Sequence, residues 1–94
     1  MSHGSHSTPE LVEQVFDAAK CREQATHLAP RRNDRNTILR GGPLDGCRFP
    51  VDRDAKTGAT VGLAQQTRLG VVSVTYALDL DGVWRFQELT PIGW

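Results

Sequence analysis

Val71-Val72-Ser73-Val74-Thr75-Tyr76-Ala77-Leu78-Asp79-Leu80-Asp81-Gly82-Val83-Trp84-Arg85-Phe86 is the stretch that decides the fold. Val72, Val74, Tyr76, Leu78 and Leu80 alternate with Val71, Ser73, Thr75, Ala77 and Asp79, the period of a strand with one apolar face. Asp81-Gly82 then supplies turn chemistry, and Val83 to Leu89 reads as a second strand. Two loops compete for the join. A two-residue Asp-Gly loop sets Trp84 and Phe86 opposite Asp79 and Ala77, against the polar side of the partner. A three-residue loop, Leu80-Asp81-Gly82, sets Trp84 opposite Leu78 and Phe86 opposite Tyr76, and puts Gly82 at the left-handed position of a type I turn with a bulge. A one-residue slip exposes both rings, at a cost on the order of 2–3 kcal/mol each. The three-residue loop is therefore expected, with Gly82 at positive φ.

Upstream, Arg40-Gly41-Gly42-Pro43-Leu44-Asp45-Gly46 has the composition of a turn between two short strands, Thr37–Arg40 and Cys47–Val51. Glycine reaches positive φ, proline fixes φ, and aspartate bonds to its own backbone. A phosphate loop would need a helix after the glycines, whereas Cys47-Arg48-Phe49-Pro50 reads as a strand. Pro50 makes that strand an edge, or ends it. Asp52–Gly58 is a charged loop, and Ala59–Ala64 is a further strand weakened by Gly58 and Gly62. Pro91-Ile92-Gly93-Trp94 is expected to run off the sheet, with Trp94 either folded back as a lid or exposed as an anchor.

Residues 8–28 read as one helix. Ser7 or Thr8 can cap it, Pro9 suits the first helical position, and Glu10, Glu13 and Asp17 lie toward the positive end of its dipole. Leu11, Val12, Val15, Phe16 and Ala19 make an apolar stripe, with Glu13, Asp17, Lys20 and Gln24 opposite. Pro30 stops it. The expected fold is α+β: an N-terminal amphipathic helix packed on a four- to five-stranded antiparallel sheet made of two hairpins. Residues 1–7 form a polar tail, 8–90 a single small domain and 91–94 a C-terminal extension.

Composition narrows the function. Eleven basic and eleven acidic residues cancel in 94 residues, so no global field draws the chain to nucleic acid or an anionic membrane. No apolar run approaches the roughly 20 residues of a membrane span, and Met1 to Thr8 lacks the apolar core of a secretory signal. Cys21 and Cys47, with His3, His6 and His27, match no zinc spacing, and the two cysteines are read as reduced thiols rather than a disulfide. Cys21 and His27, six apart, fall far around a helix from each other, which does not suit a nucleophile and its base. Asp52-x-Asp54 resembles half a calcium loop but lacks the distal Glu. The expectation is no enzyme, no cofactor, no metal and no small-molecule substrate. The strongest charged feature is Arg31, Arg32, Arg35 and Arg40 around Asp34. With no aromatic residue there to stack on bases, a solvated linker, or pairing with acidic side chains of the helix or of a neighbouring subunit, explains it at lower cost than nucleic-acid binding.

The Gly41-Gly42-Pro43-Leu44-Asp45-Gly46 turn, followed by Tyr76-x-Leu78 and Gly82-x-Trp84-x-Phe86, resembles a group of small proteins encoded by actinobacteria and their phages. Those proteins typically carry Gly-Gly-Pro-x-Asp-Gly early and a terminal Trp-x-aromatic strand. The resemblance covers residues 38–89 and leaves out the helix. It implies a phage or prophage context and supplies no functional residues. On this footing the expected function is that of a phage structural or interaction protein, such as a small capsid-associated or decoration subunit. It would reside in the host cytoplasm or the virion and contact capsid subunits or itself. The alternative is a host-directed phage regulator that binds a bacterial protein or nucleic acid. The binding residues expected are Arg31, Arg32, Arg35, Arg40 and Trp94. Gly41, Gly42, Pro43, Asp45, Gly46, Asp81 and Gly82 are assigned to turns.

Overall fold

The decisive hairpin forms in the expected register. In a computed structural model describing residues 8–94, Leu78 lies opposite Trp84 and Tyr76 opposite Phe86. Asp79 and Val83 close the loop: the Asp79 N–H donates to the Val83 carbonyl at 2.9 Å and the Gly82 N–H to the Asp79 carbonyl at 3.0 Å. Gly82 sits at φ 80°. The three-residue loop thus delivers both rings to the apolar side, where Tyr76 and Phe86 meet edge to face at 5.6 Å.

In chain order the elements are α1 (Thr8–Val15), α2 (Ala18–Thr26), β1 (Asp34–Arg40), a 3-10 turn (Gly42–Leu44), β2 (Arg48–Asp52), β3 (Thr60–Thr67), β4 (Gly70–Leu78) and β5 (Trp84–Ile92). The five strands form one sheet in the order β2-β1-β5-β4-β3. The α+β class holds, but the sheet is mixed rather than purely antiparallel, because β1 runs parallel to β5. Strand chemistry explains which edge β5 joined. The Arg53 N–H bonds to Asn33 and the Leu39 N–H to Cys47, so the odd-numbered residues of β2 face β1 and Arg48, Pro50 and Asp52 turn their backbone outward. Pro50 has no N–H to offer there. The free edge of β1 is the better partner, and Leu39 and Arg40 take Trp84 and Arg85 as neighbours. The weak strand expected at 59–64 is a full strand, β3, on the opposite edge.

Two further departures have local causes. The chain does not leave the sheet at Pro91; β5 continues to Ile92, with Pro91 opposite Val72. Between the Thr75–Glu88 and Tyr76–Phe86 pairs the register shifts, leaving Gln87 as the extra residue of a bulge. The bulge moves the apolar set from Trp84 and Phe86 to Leu89 and Pro91, keeping all four on one face. It also turns the nitrogen of Pro91 away from β4, so the missing N–H removes no bond of that ladder.

The single helix expected over 8–28 is two helices. Asp17 leaves helical geometry at φ −109°, ψ 102° and caps α2 by accepting from the Lys20 N–H. The break is held from 48 residues away. Gln65, nearly fully buried on β3, accepts from the Asp17 N–H at 2.8 Å, satisfying the donor that the interruption frees, and donates at 2.9 Å to the Asp17 carbonyl, which also accepts from the Cys21 N–H at 3.1 Å. The apolar stripe divides accordingly: Val12 is buried and Phe16 packs on the core, whereas Ala19 is exposed and Cys21 and Ala25 carry the buried face of α2. The tail 1–7, the cap assigned to Ser7 and the side chains of Thr8 and Pro9 lie outside the described residues.

Both helices lie on the face of the sheet that carries Val72, Val74, Tyr76 and Trp84. There α2 reaches β2, β3 and the 3-10 turn, and α1 reaches β5. The core is completed by Leu39, Leu44, Phe49 and Val51.

Candidate interaction surface

The glycine-rich turn is a fastening point. Gly41 and Gly42 take φ of 80° and 62°, and a Cβ on Gly42 would lie 2.4 Å from Cγ of Phe86, so β5 closes over this backbone. Asp45 accepts from the Gly41 N–H at 2.8 Å. The hydroxyl of buried Tyr76 on β4 accepts from the Leu44 N–H at 2.8 Å and donates to the Gly41 carbonyl. Arg22 of α2 donates to the carbonyls of Pro43 and Asp45. The polar groups of the turn named here are each bonded within the molecule, as a fastening point requires. Burial raises the pKa of the Tyr76 phenol, partly offset by the Leu44 N–H.

The arginines assigned to a patch are all exposed but do not form one. Arg35 lies opposite Val51, on the same sheet side as the core residues, whereas Arg40 lies opposite Arg85 on the other side, five residues along the strand. Arg31 and Arg32 sit before β1. The Arg31 N–H bonds to the Asp34 carboxylate at 2.7 Å, so this acid serves the turn rather than a cation cluster. Asp52 and Asp54 share the side-chain amide of Asn33 at 2.9 and 2.8 Å. No group of three or more metal-ligating residues occurs among the described residues. Asp81 pairs with Arg85 at 2.6 Å, which holds its carboxyl below the usual carboxylate value. Cys21 and Cys47 are free thiols, and burial pushes that of Cys21 upward.

Trp94 folds back. Its indole N–H donates to the Val71 carbonyl at 3.0 Å, and its ring lies where a Cβ on Gly70 would meet it at 2.5 Å. It remains 39% exposed, beside Leu69 at 42% and Ile92 at 52%. Val71, opposite Ile92, completes this apolar corner. Val71 and Ile92 lie on the sheet face that no described helix covers. On β3 and β4 this face carries Thr60, Gly62, Ala64 and Gln66 beside Ala77, Thr75, Ser73 and Val71, with no charge among them. Charges appear only farther across the sheet, at Glu88 and Arg85 on β5, Asp34 and Arg40 on β1, and Arg48 and Asp52 on β2.

Sequence reasoning found Trp94 and missed the surface around it. The residues are legible as the minor phase of the β4 alternation, but that β3 extends the same uncharged face follows only from the pairing. No protein-family model, no curated protein and no solved structure matches the chain. No described helix is long and apolar enough to cross a membrane.

Proposed function

We propose that this protein is a non-enzymatic interaction subunit of a phage particle, a small capsid-associated or decoration protein that binds by its open sheet face. The observation that carries the reading is the corner of Leu69, Val71, Ile92 and Trp94 continuing into an uncharged face of β3 and β4. Single exposed apolar residues are ordinary on any surface. Several at one corner, with an indole already positioned by a hydrogen bond, make a preorganised anchor that loses little entropy on docking. The small polar residues around it let a flat partner approach without stranding a charge. On a repeating lattice a modest contact of this kind suffices, because repetition raises the effective concentration. The phage context itself comes from the resemblance of the glycine-rich turn and the Gly82-x-Trp84-x-Phe86 strand; on this reading the protein is made in the host cytoplasm and joins the virion.

Gradient-purified particles from a phage that encodes the chain are the test. A stoichiometric band in wild-type particles, lost with Ile92→Lys and Trp94→Ala while the free variants stay folded, supports the reading. Absence of the band overturns it. Capture of one bacterial protein from host lysate, with toxicity on expression, would put a host-directed regulator in its place.

A further inference from the structure

The sheet has two edges, and they are finished differently. The outward backbone of β2 belongs to Arg48, Pro50 and Asp52, so one edge carries two charges and a proline that cannot donate, the usual safeguards against a further strand. The β3 edge has none of them. Thr60–Thr67 is eight residues long, with no charge and no proline. The Leu78 N–H bonds to the Ala59 carbonyl, so the odd-numbered residues of β3 face β4 and Thr60, Gly62, Ala64 and Gln66 turn their backbone groups outward. No backbone hydrogen bond outside the sheet engages those four among the described residues.

We propose that β3 is a homodimerisation edge, pairing antiparallel with β3 of a second copy to make one continuous ten-stranded sheet. The occupant follows from self-complementarity. Among two-fold antiparallel registers that keep the helix-covered faces on one side, the one centred on Leu63 pairs all four outward residues: Thr60 with Gln66 of the other copy, and Gly62 with Ala64. Registers centred on Gly62 or Ala64 leave one of the four beyond the end of the partner strand. The Leu63 register also places the two Leu63 side chains, half-buried in the free chain, side by side at a non-hydrogen-bonded pair, where side chains approach most closely. A two-fold axis brings every charge on a strand near its own copy, so a chargeless edge is the kind that tolerates it. The flanks carry both signs: the groove beside Val61, walled in part by Phe49–Asp52 of β2, carries Arg31, Asp34 and Asp52, the groove beside Gln65 carries Lys20 and Glu23, and this register sets one groove toward the other. The proposal deepens the self-association half of the function above but uses the edge rather than the open face, so the two fail separately.

The experiment is sedimentation velocity and equilibrium on the full chain up to roughly 100 µM, well above the micromolar Kd of an interface at the small end of the size range. The expected result is a reversible monomer–dimer equilibrium. Ala64→Pro, which removes the outward N–H that the Gly62 carbonyl of the other copy would accept and adds no charge to the open face, is expected to weaken it at least tenfold while circular dichroism stays that of the wild type. Leu63→Cys reads the register: the non-hydrogen-bonded pair places the two Cα atoms about 4.5 Å apart, within disulfide reach. Mild oxidation should therefore give a covalent dimer that Ala64→Cys does not. A monomeric wild type over the whole range, or a dimer indifferent to Ala64→Pro, overturns the proposal. Retention of folded Ala64→Pro monomer on phage particles would leave the sheet-face reading standing on its own.

Discussion

Tyr76→Phe removes one oxygen and tests whether the glycine-rich turn is fastened from inside. The Tyr76 hydroxyl accepts from the Leu44 N–H and also donates to the Gly41 carbonyl. Leu44 and Tyr76 are both fully buried, so the orphaned N–H cannot reach water; Gly41 is exposed and its carbonyl can be rehydrated. Only one of the two losses therefore carries the full penalty of an unsatisfied group, about 1–3 kcal/mol, with the other nearer 0.5 kcal/mol. The expected destabilisation is about 2 kcal/mol, a fall in Tm of roughly 8–16 °C for a domain of this size. Thermal unfolding by circular dichroism measures it, and hydrogen exchange should show the Leu44 amide losing protection ahead of the β4–β5 ladder. A second signature comes from titration. Burial raises the folded-state pKa of Tyr76, so its contribution is fully present below about pH 10 and is lost as pH rises through the folded value. Tyr76→Phe should remove that part of the alkaline loss of stability. A Tm change under about 3 °C, equivalent to roughly 0.5 kcal/mol, with Leu44 still protected, would refute the fastening argument.

Three further perturbations separate local from remote causes. Gly42→Ala should cost about 2–4 kcal/mol in chemical denaturation, because φ is 62° and the new Cβ meets Phe86. Gly46→Ala, at φ 78° with open space around it, should cost only about 1–2 kcal/mol, and equal costs would mean that Phe86 does not press on the turn. Gln65→Leu leaves the Asp17 N–H without its partner, while the Asp17 carbonyl keeps the Cys21 N–H, and should cost about 1–2 kcal/mol, with exchange accelerating at Asp17; unchanged protection there would show the helix break to be intrinsic. Asp81 has a lowered folded-state pKa through Arg85, so its contribution is present above the ordinary carboxylate value and is lost as pH falls through the folded one. Asp81→Asn should flatten that acid limb, and an unaltered acid profile would count against the pair.

What could be read from the residues was what their neighbours in sequence determine. The β4–β5 register followed from where Trp84 and Phe86 must point, and the positive φ of Gly82 followed from the loop. Pro50 marked an edge, as β2 is. The parallel pairing of Leu39 with Trp84 was hidden because it depends on which edge of one hairpin the other finds, and no local pattern encodes that choice. The break at Asp17 was hidden for the same reason, since Gln65 lies far along the chain and looks like an ordinary strand polar residue. The Gln87 bulge did leave a trace: apolar residues at 84 and 86, then 89 and 91, are a period of two with one residue inserted. Of the candidate surface, Trp94 was legible. The arginines were grouped by nearness in sequence, which strand alternation undid by sending Arg35 and Arg40 to opposite sides.

The β1–β5 seam has a consequence for how the chain reaches its fold. The β1–β2 hairpin and the β3–β4–β5 meander are each local, and each can begin to form alone. They are joined by two residue pairs at the seam and by the grip of Tyr76 and Phe86 on the turn at Gly41–Leu44. During synthesis the free edge of β1 must therefore wait, exposed, until Trp84 and Arg85 exist. The turn can close with its own hairpin, but its fastening by Tyr76 and Phe86 is completed only when the two halves of the sheet meet, and the rate of that meeting should set the rate of folding.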